Sequence, residues 1–256
     1  MSNHVYGWSM IDGDIEIATP EGSMTTYVAH PDSGGPHPLV LFLMDAPGKR
    51  ALLHSMARTI AEHGYYVMLP NLYYRATPAF ELDFASKESF ARMSELMTAV
   101  GNRMAARDAA TLIAHAEADP AADASKVGVV GYCMSGPFAV VVAEEFPDRV
   151  KAAASFYGVR LHTDNEQSPH MRLGEIRGEL YMACAEHDQY VPLDMVDRFE
   201  AAMQAADVNG RVERYWGCHH GFAFNDRPQY DAKAEQLHWR RLFDLIDRNL
   251  KERALK

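Results

Sequence analysis

The chain has 256 residues, with 25 Lys and Arg against 35 Asp and Glu, a formal net charge of −10 at pH 7. Apolar residues make up 48 % and charged residues 23 %, ordinary globular usage that excludes a collagen-like, coiled-coil or disordered chain. The acidic balance, with Lys and Arg scattered, excludes a nucleic-acid binder, which needs a basic face to displace counterions.

From the start, MSNHVYGWSMIDGD has no basic stretch followed by an apolar one, so no secretory leader is expected. DIEIAT from Asp14 and MTTYVAH from Met24 read as two strands of an antiparallel hairpin. PLVLFLM from Pro38 is apolar on both faces, as a central parallel strand must be. Leu52, Leu53, Met56, Ile60 and His63 recur at helical spacing and stop at Gly64, which predicts a helix with a glycine C-terminus. YYVMLP from Tyr65 is the next strand, and a long connection then runs from Asn71 to Lys126. Within it, Ser86 to Ala118 reads as one helix with Met93, Met97 and Met104 on a soft apolar side, either a core stripe or a lid-like segment spanning 72–125.

KVGVVGY from Lys126 is the next strand, followed by a helix carrying Phe138, Val141, Val142 and Phe146, with Pro147 beyond it. AAASFYG from Ala152, ELYMACA from Glu179 and VERYWG from Val212 complete the strands. A helix with Met195, Phe199, Met203 and Ala206 separates the last two. The final helix places Leu237, Leu242, Leu245, Ile246 and Leu250 on one stripe, with Arg240, Arg241, Asp244, Arg248 and Lys251 largely opposite. A hairpin followed by strand–helix alternation predicts an α/β fold: a mostly parallel eight-stranded sheet with an N-terminal antiparallel hairpin and helices on both faces. With no linker or repeat, residues 1–256 read as a single domain with its core at about 14–250. No apolar run approaches the roughly eighteen residues of a membrane helix. Three cysteines, an odd number, cannot form a disulfide framework, so a soluble, cytoplasmic protein with reduced thiols is expected, with no nucleic-acid or membrane partner.

The chemistry concentrates at Gly131-Tyr132-Cys133-Met134-Ser135-Gly136, where a β-branched strand turns directly into a helix. Such a turn holds its apex residue in a strained conformation and admits only small neighbours; Gly131 and Ser135 stand at −2 and +2 from Cys133. The helix N-terminus beneath favours a thiolate. A buried cysteine beside a glycine-packed turn is the bland alternative. Partners belong at the ends of later strands, acid first. Asp188 follows ELYMACA and His219-His220 follow VERYWG, giving the order Cys, Asp, His. Asp188 could instead cap the helix after Pro192, although Asp194 is better placed for that. Adjacent histidines point apart, so only one of the two faces Cys133. For the same reason Cys218-His219-His220 cannot converge on a metal ion. Cys184 reads as core, Cys218 as a loop thiol and His187 as a solvated loop residue.

These motifs together resemble the dienelactone hydrolase family of α/β-hydrolases. The resemblance lies in the G-Y-C-x-x-G elbow at Gly131 to Gly136, the E-x-D-x-x-V-P loop around Asp188, the H-G-F loop at His220-Gly221-Phe222, and Pro70-Asn71-Leu72-Tyr73-Tyr74-Arg75. It runs in order from Asp14 to Leu250 and implies a carboxylic-ester or lactone hydrolase with a Cys133-Asp188-His220 triad and no metal or organic cofactor. By position, His220 rather than His219 matches the family's histidine. The oxyanion would be held by the backbone N–H groups of Met134 and Ala46. Two departures matter. Asp45 stands where the family often carries a glutamate, and no arginine follows His220 until Arg227, leaving Arg75 or Arg92 as the counter-charge for an anionic small-molecule substrate. A protein that binds or senses ligands through a reactive thiol, without turnover, is the alternative.

Overall fold

The computed structural model describes residues 9–251. The chain divides into two compact units, Met1–Val127 and Gly128–Lys256. The first holds β1 (Met10–Thr19), β2 (Gly22–Pro31), β3 (His37–Leu43), α1 (Ala51–Ala61), β4 (Tyr66–Pro70), α2 (Lys87–Thr98) and α3 (Asn102–Glu117). Its strands lie in the order β1-β2-β4-β3. β1 and β2 form the expected antiparallel hairpin, closing at Thr19 opposite Gly22. β2 pairs antiparallel with β4, and β4 parallel with β3. β3 and β4 are buried almost throughout, which their unbroken apolar runs dictate, since a central strand presents both faces to other elements.

β5 (Ala122–Tyr132) passes from the first unit into the second. The second unit continues with a 3-10 turn at Cys133–Ser135, α4 (Gly136–Glu145), β6 (Val150–Phe156), β7 (Glu179–His187), α5 (Leu193–Ala205), β8 (Gly210–His219) and α6 (Ala232–Leu250). β6, β7 and β8 are parallel neighbours, so their carboxyl ends, and the loops that follow them, lie on one side. α4 is buried along nearly its whole length, from Gly136 through Glu144. The α/β fold of eight strands with an N-terminal hairpin is therefore the one expected.

Three local expectations need correction. The predicted helix from Ser86 to Ala118 is two helices, broken where Gly101 adopts an extended backbone and serves as the N-cap of α3; glycine next to β-branched Val100 is a poor helix interior. Met93, Met97 and Met104 are half-buried, and α2 buries only Leu96. Asp194 does not cap α5, whose N-cap is Pro192; Asp194 sits in the first turn and pairs with Arg198 at 2.7 Å. The buried stripe of α6 runs through Ala234, His238, Leu242, Leu245, Ile246 and Leu250, leaving Leu237 half-buried. Stepping back by four from Leu242 reaches His238 and then Ala234, but a histidine does not announce itself as a core residue. It is tolerated because Tyr132 Oη meets its Nε2 at 2.7 Å, and burial pushes its pKa down to about 3, so the ring is neutral.

Candidate active site

β5 delivers the buried residues Val127, Val129 and Val130 and ends on Tyr132. Cys133, next in the chain, has φ +53°, a left-handed conformation that a side chain occupies only when its surroundings impose it, at a cost of about 1–3 kcal/mol. The neighbours supply that constraint. A Cβ on Gly131 would lie 2.1 Å from the carbonyl oxygen of Ser135, and one on Gly136 would lie 2.3 Å from Gly158 Cα. No residue larger than glycine fits at either point. Ser135 Oγ accepts from the Tyr132 N–H at 2.9 Å and donates back to the Tyr132 carbonyl at 3.1 Å. The Val159 N–H donates to the Cys133 carbonyl at 3.1 Å. The turn is thus clamped from both sides, and Cys133 as a whole is left 9 % exposed.

The next two strands bring the acid and the imidazole. Asp188 follows the end of β7 and His220 the end of β8, with His187 and His219 opposite each other in register. His220 Nδ1 lies 2.6 Å from Asp188 Oδ2. The second carboxylate oxygen accepts from the N–H groups of Tyr190 at 2.9 Å and Val191 at 3.2 Å. The carboxylate is completely buried and acceptor-only, so it places the imidazole proton on Nδ1 and leaves Nε2 as the basic nitrogen. Burial pushes the His220 pKa down, but the Asp188 hydrogen bond and the neighbouring Cys133 thiol outweigh it and raise the pKa to about 9. His220 Nε2 is buried and closes no hydrogen bond. The Tyr157 ring lies 5.0 Å from the imidazole and Tyr190 stands perpendicular to it at 5.1 Å.

The two adjacent histidines separate as expected. His219 is exposed and its ring lies 5.1 Å from that of His187, also exposed, while His220 turns toward Tyr157. Cys184 and Cys218 are buried thiols; burial pushes Cys184 up to about 11 and raises Cys218 as well, so neither has the character of a reactive thiol. Among the described residues, no group of three or more His, Cys, Asp and Glu side chains could hold a metal ion. No helix among them is long and apolar enough to cross a membrane.

The other sequence-predicted residues are placed as follows. Met134 occupies the 3-10 turn directly after Cys133, at the entrance to α4. Ala46 lies in the first unit, on the loop after β3, and its carbonyl accepts from Tyr73 Oη at 2.9 Å. Asp45 is fully buried in the same unit against Arg50, at 2.6 Å, so its charge is already matched. Arg75 is held by Glu21 and by Asp108, at 2.9 Å and 2.7 Å from the latter's two oxygens. Arg92 is exposed on α2 and pairs with Glu95 at 2.9 Å. The sequence reading gives Tyr157, Val159 and Tyr190 no individual role. Tyr190 was open to detection, standing two residues after Asp188 inside the acid loop. Val159 acts through its backbone, which no side-chain pattern reports.

A strained cysteine at a strand-to-helix turn, with an imidazole–carboxylate pair at the ends of later parallel strands, is the arrangement of an α/β-hydrolase. The model of the "Dienelactone hydrolase family" matches residues 24–250, and the chain belongs to that family, whose members are lactone and ester hydrolases. It is 28 % identical over 228 residues to a Synechocystis sp. protein named "Putative carboxymethylenebutenolidase", covering 88 % of this chain and 92 % of the relative. It is 24 % identical over 240 residues to the carboxymethylenebutenolidase of Pseudomonas putida, covering 93 % and 97 %. A crystal structure of a "Putative Dienelactone Hydrolase" from Klebsiella pneumoniae subsp. pneumoniae is similar in fold, with a TM-score of 0.83 at 23 % identity over 93 % of this chain and 98 % of that one.

Proposed function

We propose that this chain hydrolyses carboxylic esters and lactones through a covalent acyl-enzyme on Cys133. The reading is carried by one observation: the left-handed Cys133 interacts with a buried imidazole whose Nδ1 is held by Asp188 at 2.6 Å. The Cys133 thiol gives its proton to His220 Nε2, and the thiolate attacks the carbonyl carbon. The backbone N–H of Met134, at the start of the helical turn, donates to the oxygen that becomes negative. One such donor is worth about 3 kcal/mol of transition-state stabilisation. Collapse of the tetrahedral intermediate breaks the C–O bond, and His220 returns its proton to the leaving oxygen. Water, deprotonated by the same Nε2, then cleaves the thioester and frees the acid and the thiol.

A thiolate leaves a tetrahedral intermediate more easily than an alkoxide, so unactivated alkyl esters revert to starting material. Enol lactones, aryl esters and thioesters carry better leaving groups and partition forward. The names of the relatives add lactones to that expectation. The test is a panel of esters, lactones and thioesters assayed on the native protein and on Cys133→Ala and His220→Ala. Loss of hydrolysis in both variants supports the reading. Hydrolysis that survives either substitution refutes it, and ligand binding with no hydrolysis by the native protein would favour a reactive-thiol sensor instead.

A further inference from the structure

Beyond the triad, we infer that Tyr190 forms the outer wall of a leaving-group subsite and selects planar, unsaturated leaving groups over saturated ones. This deepens the reading above, since it rests on His220 Nε2 protonating the leaving oxygen. That step obliges the departing group to lie against the imidazole. Two rings flank the imidazole within about the same distance, Tyr157 at 5.0 Å and Tyr190 at 5.1 Å. They differ in access. Tyr157 is 0 % exposed and packs edge-on against Phe222 and Phe224, whereas Tyr190 is 59 % exposed. Only the second is open to a molecule arriving from solvent.

The backbone of Tyr190 is anchored in the acid loop. Its N–H donates to Asp188 Oδ1 at 2.9 Å, so the loop that holds the carboxylate also carries the ring beside the imidazole. The phenol oxygen has no hydrogen-bond partner among the described residues, and the ring stands perpendicular to the imidazole, with an interplanar angle of 70°. An exposed aromatic ring held without its hydroxyl offers a π-surface. A planar aryl or enol group gains an aromatic contact there, worth up to about tenfold in an equilibrium or rate constant. A short alkyl thiol has no π-face and gains little.

The experiment compares two acetyl donors, 4-nitrophenyl acetate and S-ethyl thioacetate, which share one acyl-enzyme, so kcat/KM covers only binding and acylation and leaves out the common deacylation. Tyr190→Ala is expected to lower kcat/KM about tenfold on the aryl ester and less than about twofold on the thioester. Tyr190→Phe, which keeps the ring, restores the aryl preference. A second arm measures binding of 4-nitrophenol to Cys133→Ala by NMR titration, with and without Tyr190→Ala; the added substitution should weaken it about tenfold. Equal losses on the two donors, or unchanged 4-nitrophenol binding, would overturn the assignment. If the native protein turns over neither donor, the hydrolase reading fails, and the binding arm still decides the role of Tyr190.

Discussion

The Asp188 carboxylate divides its two oxygens between different tasks: Oδ2 meets His220 Nδ1 at 2.6 Å, and Oδ1 accepts the backbone N–H groups of Tyr190 and Val191. The acid is therefore anchored to its own loop and cannot turn away from the imidazole. In the proposed reaction its contribution is orientation and charge: it would fix which nitrogen is basic and stabilise the imidazolium formed in each proton transfer.

Asp188→Asn preserves the shape and removes the charge. An asparagine can present its N–H to Nδ1, which would place the imidazole proton on the wrong nitrogen. Turnover should fall about a thousandfold or more, with the unfolding midpoint changed far less than the rate. Steady-state kinetics on an aryl ester beside a urea titration checks this, and a loss under tenfold would contradict the role.

The raised pKa of His220 has a consequence for stability. Its folded value, about 9, lies above the ordinary 6.5 because Asp188 and Cys133 favour the charged ring more than burial disfavours it. A raised folded value stabilises the protein fully below about pH 6.5, and the contribution is lost as pH rises through about 9. The gain is on the order of 3 kcal/mol. The unfolding free-energy gap between the native protein and His220→Gln, which cannot titrate there, should therefore narrow between pH 6 and pH 10. A gap that widens would contradict the assignment.

The elbow's packing predicts a steric penalty. A Cβ at Gly136 would meet Gly158 Cα at 2.3 Å and Ser155 Oγ at 2.5 Å, and the backbone contact cannot be relieved by a rotamer change. Gly136→Ala should cost about 1–3 kcal/mol or more and lower activity by shifting Cys133. Gly174→Ala, where a Cβ meets nothing within 4 Å, should stay within about 0.5 kcal/mol of the native protein. Urea midpoints of the two variants decide the point.

The positions of Cys133, Asp188 and His220 at the ends of strands were legible because their signals are local. Glycine at 131 and 136 marks a backbone too close for any side chain, and Asp188 and His220 each follow directly on the last residue of a strand. The His238 packing was hidden because a polar residue entered the core stripe on the strength of one distant hydroxyl, that of Tyr132. The break between α2 and α3 was hidden by an apolar spacing that continues across Gly101. The pairings of Arg75 with Asp108 and Asp45 with Arg50 depend on which loop meets which helix, and charge alone does not reveal that Arg75 is already engaged.

Rapid-quench intact-mass analysis during turnover of 4-nitrophenyl acetate, followed by peptide mapping, reads out the proposed covalent acyl group on Cys133. The expected species is heavier by one acetyl group, mapped to Cys133 and absent from Cys133→Ala. Full turnover with no adduct at Cys133, or an adduct at Cys184 or Cys218, would contradict it.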